Sequence, residues 1–93
     1  MSQVMENRAE VTVVPRTEPV DGPGERWCSC RVEVLESVDV EGYPNLLGAD
    51  LPREFDALIP AELRDAFALG APPLRVTASL AGPGTLRVQP HAL

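Results

Sequence analysis

The sequence contains no lysine, and its eight basic residues, all arginine, are outnumbered by fourteen aspartates and glutamates. The formal charge is therefore −6 at pH 7, with an isoelectric point of about 4.6. Affinity for nucleic acid depends mainly on cationic contacts with phosphate, so this charge balance disfavours broad phosphate binding. The charge instead favours a partner whose surface is basic.

Long hydrophobic runs are also missing. Nowhere do 18 consecutive apolar residues occur, so no membrane-spanning helix is expected. Residues 1–10 are polar and lack the apolar run behind a basic start that marks a secretory leader. We therefore expect a soluble protein of the cytoplasm that does not bind membranes.

Cysteine is limited to Cys28 and Cys30. If both lie on one extended strand, their Cα atoms are about 6.5–7 Å apart, at the upper limit for a disulfide. The expected state is two buried free thiols, which is typical of a reducing compartment. This agrees with the cytoplasmic location expected above.

Aromatic residues number only four: Trp27, Tyr43, Phe55 and Phe67. The core must therefore consist mostly of valine, leucine and alanine. With 93 residues and 44% hydrophobic content, the chain suffices for one modest core. We expect a flexible tail at residues 1–9, one domain at residues 10–90 and a short stub at residues 91–93.

The strongest periodic signal lies between Trp27 and Val40. Apolar residues occupy the even positions, which predicts one long strand with these side chains in the core: Cys28, Cys30, Val32, Val34, Val38 and Val40. Glu36 interrupts the apolar row, and Ser37 follows it. This interruption predicts a bulge or a sharp bend at that point.

Three other segments have interpretable patterns. Residues 10–16 predict a short strand ended by Pro15, and residues 74–89 predict a hairpin that turns at residues 81–84. Residues 53–69 fit two interpretations. Either residues 54–59 are extended and a helix begins at Pro60, or two short helices meet at a kink there. We favour the first, with a stop at Gly70.

The resulting order of elements matches OB-like barrels, in which a helix between the third and fourth strands covers an open end. The predicted fold is mainly β: a small five-stranded OB-like barrel or a half-open β-sandwich, with one short helix at about residues 60–69. A four-stranded sheet carrying two helices would give a similar pattern.

The sequence contains only weak signals for a catalytic or metal-binding site. Cys28, Cys30 and His91 could supply three zinc ligands, but one residue between the cysteines is fewer than zinc knuckles use. Carboxylates crowd the long strand, where we expect a solvated face with arginines opposite for cross-strand pairing: Arg31, Arg75 and Arg87. The sequence therefore predicts neither catalysis nor a metal or cofactor site.

Residues 42–52 contain four helix and strand breakers but are unusually apolar for a loop. The loop either folds back and closes an open end of the core, or it presents an apolar patch to a partner. On the second interpretation the contact residues are Tyr43, Leu46, Leu47 and Leu51, with Glu41 and Asp50 as a polar rim.

The function that we predict is that of a non-catalytic β module. It binds another protein as an accessory or regulatory subunit through this loop and an acidic surface. One alternative is an OB-like binder of single-stranded nucleic acid or a small ligand that uses Trp27 and nearby arginines, namely Arg8, Arg16, Arg26 and Arg31, unless Trp27 covers the core. Another is an acidic mimic of nucleic acid that inhibits a basic enzyme. A homo-oligomer is also possible.

Overall fold

The computed structural model of the chain describes residues 7–22, 24, 26–45, 47 and 50–89. This part of the chain forms six strands and one 3₁₀ helix. The strands are β1 Ala9–Pro15, β2 Val20–Asp21, β3 Trp27–Asp39, β4 Arg53–Pro60, β5 Leu74–Gly82 and β6 Thr85–Val88, and the helix is Ala61–Phe67.

Five of these strands close into a mixed barrel. Going round it, β1 pairs with β3, β3 with β4, β6 with β5 and β5 with β1, all antiparallel, while β4 and β6 are parallel. The two-residue strand β2 is added beside the start of β3. The prediction of a small OB-like barrel with a helix between the third and fourth barrel strands is confirmed. The half-open sandwich and the sheet with two helices do not describe it.

The core follows from the alternation of the strands. On β3 the even residues from Cys28 to Val34 are buried, and on β4 the buried row is Phe55, Ala57 and Ile59. Strands β1, β5 and β6 contribute further small apolar side chains: Ala9, Val11, Val13, Val76, Ala78, Leu86 and Val88. Residues 53–60 are thus a strand, as the favoured interpretation predicts.

Strand β3 contains a bulge at Leu35. Val34 lies opposite Val13 and Glu36 opposite Thr12, so Leu35 has no partner on β1. Without this extra residue Glu36 would point into the barrel, where an unpaired carboxylate is very costly. The bulge keeps Glu36 outside and reverses the facing of the residues after it.

The reversal corrects one prediction. Val38 lies opposite Glu10 and is 43% exposed, so the expectation that it continues the inward row is wrong. Val40 lies just beyond the end of the strand and is half-buried. The sequence predicts the bulge at Glu36 or Ser37, one or two residues after Leu35, where the structure places it.

The 3₁₀ helix covers one end of the barrel. Phe67 is fully buried, and Leu63 and Ala66 pack against the same cluster. The amide of Ala61 donates to the carbonyl of Arg26, which ties the helix start to the entrance of β3. The helix begins directly after Pro60 and is shorter than the predicted residues 60–69.

The opposite end is covered by the loop after β3. Leu47 is 5% exposed and belongs to the core, and Leu51 is half-buried against it. Asn7 is buried beside β5, where its side chain exchanges two hydrogen bonds with the backbone of Leu80. Strand β1 begins at Ala9, one residue inside the predicted tail. Residues 1–6 of that tail and the stub at residues 91–93 lie outside the described residues.

Candidate functional site

Arg31, on the first half of β3, is paired with carboxylates of β4. Arg31 projects outward and donates from Nε to Glu54 Oε1 at 3.2 Å and from Nη1 to Asp56 Oδ1 at 2.9 Å. Glu54 also lies 3.7 Å from Nε of Arg16. The hydrogen bond that Arg31 donates to Asp56, followed by the one that it donates to Glu54, raises the pKa of Arg31 above its ordinary value. These arginines are therefore already occupied by carboxylates.

This paired surface is the face that OB barrels commonly use for oligonucleotides. Single-stranded nucleic acid needs a positive groove and aromatic platforms. The outward residues in the middle of these two strands are mostly polar or charged, and no aromatic residue is among them: Ser29, Arg31, Glu33, Glu54, Asp56 and Leu58. The face thus lacks both features.

The second half of β3 is paired on one side. The ladder between β3 and β4 ends where Val34 lies opposite Arg53, and β3 continues for five residues to Asp39. Over the described part of the chain, residues 36–39 pair with β1 alone, and the bulged Leu35 pairs with neither neighbour. Alternate backbone N–H and C=O groups of this stretch therefore point to a side that no described strand occupies.

We call residues 35–41 the acidic edge. Among the described residues, none forms an ion pair with Glu36, Asp39 or Glu41, and the same holds for the exposed Asp50 of the loop. Asp39 accepts one hydrogen bond, from Asn45 Nδ2 at 3.1 Å. The acidic edge consequently carries negative charge that its described neighbours leave uncompensated.

Two apolar side chains stand among these carboxylates. Leu35 is 38% exposed and Val38 is 43% exposed. An apolar pair surrounded by charged groups is the usual composition of a protein contact surface, with a drier centre and a polar rim. The sequence analysis assigns neither residue to a contact surface, although Glu36 in the apolar row indicated the bulge that exposes them.

The loop after β3 is fastened beside the acidic edge. Asn45 donates from Nδ2 to Ser37 Oγ as well as to Asp39, and its Oδ1 accepts the amide of Leu47 at 3.1 Å. The half-buried Tyr43 has the Arg8 guanidinium 4.5 Å from its ring centroid. These contacts hold the loop against the strand from which the acidic edge is formed.

The predicted contact residues therefore divide into two groups. Leu47 is buried and Leu51 is half-buried, which favours the interpretation of the loop as a cover of the core. Glu41 and Asp50 are exposed and Tyr43 is partly exposed, so these three are accessible to a partner. Leu46 lies outside the described residues.

Trp27 lies at the other end of β3 from Tyr43. It is half-buried and lines an open cleft of about 460 Å³ together with Asp21, Gly24, Cys28, Ala61 and Arg64. Arg64 donates to Asp21 Oδ1 at 2.9 Å and to the Pro19 carbonyl at 3.1 Å, and the bond to Asp21 raises its pKa. The guanidinium group of Arg64, which lines this cleft, is thus already hydrogen-bonded to other residues of the chain.

The arginines that were candidates for a nucleic-acid site do not gather around Trp27. Arg8 contacts Tyr43, whereas Arg16 and Arg31 contact Glu54. Arg26 precedes Trp27 in the chain and is exposed. The structure therefore divides the predicted cluster among separate contacts.

Both thiols are free and buried in the barrel. Burial, together with the adjacent Cys28, raises the pKa of Cys30 from 9.0 to about 11. At neutral pH this thiol is protonated and is a poor nucleophile. No group of three or more potential metal ligands occurs within the described ranges, and His91 lies outside them.

In the part of the chain that the structure covers, no helix has the length and apolar character needed to cross a membrane. Comparisons with protein-family models, with curated proteins and with solved structures find no match to this chain.

Proposed function

We propose that the chain is a non-catalytic β module that binds another protein as an accessory or regulatory subunit. The acidic edge is the proposed contact surface, with Tyr43 and Asp50 beside it. The observation that carries this proposal is the exposed pair Leu35 and Val38, which lies among carboxylates that have no ion pair with a described residue. The partner's surface is basic.

The two halves of β3 support a surface built for a partner. Beside the first half, Glu54 and Asp56 of β4 form ion pairs with arginines, and these pairs relieve the repulsion between the two carboxylates. On the acidic edge the carboxylates repel each other without such relief. A basic partner would remove this repulsion on binding and would cover Leu35 and Val38.

The test is a pull-down from the native host, followed by titration of the recovered partner. The triple variant Glu36→Gln, Glu41→Gln, Asp50→Asn removes three exposed charges from the surface. The matched control Glu18→Gln, Glu62→Gln, Asp65→Asn removes three exposed charges elsewhere. We expect the first variant to bind about tenfold more weakly at low salt, from three surface ion pairs, and the control to bind as the parent does. Equal losses in both variants would contradict the proposal.

A second candidate shares the same carboxylates: an acidic mimic of nucleic acid that blocks a basic enzyme. It is favoured because Glu36, Glu41 and Asp50 are exposed and form no ion pair with a described residue. The variant Leu35→Ser, Val38→Ser separates the two. A mimic would keep its affinity in this variant, whereas an interface with an apolar centre would lose it.

The alternative of a nucleic-acid or small-ligand binder depends on the cleft at Trp27. This alternative predicts that the fluorescence of Trp27 changes when an oligonucleotide stacks on it, and that the change weakens steeply as salt is added. We expect no response, because Arg64 is bound to Asp21 and Arg31 to Glu54 and Asp56. Salt-sensitive quenching would replace our proposal with this alternative.

A further inference from the structure

The open side of β3 suggests how the partner binds, and this inference rests on the proposed function. Residues 35–39 extend beyond the last pair between β3 and β4, and within the described ranges no strand lies on that side. A strand edge of this kind is a template for one more strand, which supplies main-chain hydrogen bonds at every second residue. Affinity then comes from the backbone and selectivity from the side chains beside it.

We propose that residues 35–39 of β3 accept an extended, basic segment of the partner as an additional strand. The charge of the edge argues for this occupant. Glu36 and Asp39 lie on the segment and Glu41 follows it, without ion pairs to described residues. Lysine or arginine side chains of an added strand would lie within reach of these carboxylates.

The same charges disfavour a second copy of this chain as the occupant. Two such edges side by side would bring Glu36, Asp39 and Glu41 of one copy close to those of the other. Like charges on neighbouring strands are destabilising, and charged side chains are a common means of keeping sheet edges from self-association. The charge of the acidic edge thus disfavours pairing with a second acidic edge and favours pairing with a basic strand.

The facing of the edge residues defines the segment further. Glu36 and Val38 lie opposite Thr12 and Glu10 on the outer face, while Ser37 and Asp39 lie opposite Val11 and Ala9 on the other. An added strand places alternate side chains beside each row. The segment that fits has a basic residue and an apolar residue two positions apart on one face, with a second basic residue near Asp39.

The experiment uses the whole chain labelled with ¹⁵N and two synthetic octapeptides of repeated Arg-Arg-Val-Val, which place an arginine and a valine two positions apart on each face of an added strand. The peptides are identical except that one is methylated at every backbone amide nitrogen, which removes its donors and keeps its charge. We expect the unmethylated peptide to bind about tenfold more tightly, from two or three main-chain hydrogen bonds. It should also slow hydrogen exchange at alternate amides of residues 35–39.

Each other outcome overturns the inference. Equal binding of both peptides means that attraction is electrostatic without strand addition, and unchanged exchange at residues 35–39 places the contact elsewhere. Undiminished binding by the variant Glu36→Gln, Glu41→Gln, Asp50→Asn rejects the charge argument. Dimerisation of the peptide-free chain with protected amides at residues 35–39 identifies a second copy as the occupant. The pull-down tests the proposed function separately, since a partner can depend on the acidic edge without adding a strand.

Discussion

The two halves of β3 lie in different surroundings. Residues 27–34 have β4 on one side, and their outward cation, Arg31, is bound to Glu54 and Asp56. Residues 35–39 lack β4, and Glu36 and Asp39 form no ion pair with a described residue. The neighbouring strand therefore distinguishes the two halves: β4 supplies carboxylates to Arg31 and ends before the acidic edge.

The largest expected difference between the halves is in packing. Phe55 lies on β4 opposite Val32 and is fully buried, so Phe55→Ala should lower the free energy of unfolding by about 3–5 kcal/mol. Val38→Ala on the acidic edge should change it by less than about 0.5 kcal/mol. Urea denaturation of both variants measures this. A large loss from Val38→Ala would mean that the two halves are packed alike.

Leu47 tests whether the loop beside the acidic edge is a cover of the core. Because its side chain is buried, Leu47→Ala should cost about 2–4 kcal/mol in denaturant unfolding. Leu69→Ala, at an exposed leucine, is the control and should stay within about 0.5 kcal/mol. A neutral Leu47→Ala would return this residue to the predicted partner-contact surface.

Cys30, on the first half of β3, makes the stability of the barrel depend on pH. Its pKa rises from 9.0 to about 11 on folding, so the folded state retains a proton that the unfolded state loses. This contribution to stability is fully present below pH 9 and is lost as the pH rises toward 11. We expect the urea midpoint to fall over this range in the parent and to fall less in Cys30→Val. Parallel curves would show that the thiol is not responsible.

The smallest expected effect compares two glutamates on either side of the bulge. Glu54→Gln removes contacts with Arg31 and Arg16 and should lower stability slightly, by an amount that shrinks as salt is added. Glu36→Gln removes a charge that repels its neighbours, so it should leave stability unchanged or raise it slightly. Thermal unfolding at low and high salt measures both. If Glu54→Gln raised stability and Glu36→Gln lowered it, the proposed difference between the two halves would be wrong.

Much of the fold follows from local pattern. The alternation from Cys28 to Val34 and the hairpin of β5 and β6 each depend on facing and turns within one segment, and both could be predicted. Residues 53–60 were ambiguous because Phe55 and Ile59 fit a helical stripe as well as a strand. Pro60 favoured the strand, since it disfavours helical geometry at the residue before it.

The candidate surface could be predicted only in part. The acidic run and the rim residues Glu41 and Asp50 can be recognised in the sequence. The arginines expected opposite that run pair elsewhere, Arg31 with Glu54 and Arg75 with Glu10. Whether a given carboxylate is compensated depends on which strand lies beside it, and this requires the register of β4. The exposure of Leu35 and Val38 requires the position of one bulged residue, because a shift of one residue reverses every facing beyond it.

The parallel pairing of β4 and β6 has a consequence for the order of assembly. Strands β1, β3 and β4 can associate early as neighbours in an antiparallel meander, but β4 keeps a bare side until a strand some 25 residues later reaches it. Such distant pairing is slow to form. In a refolding time course, amides of β4 that bond to β6 should gain protection after those that bond to β3.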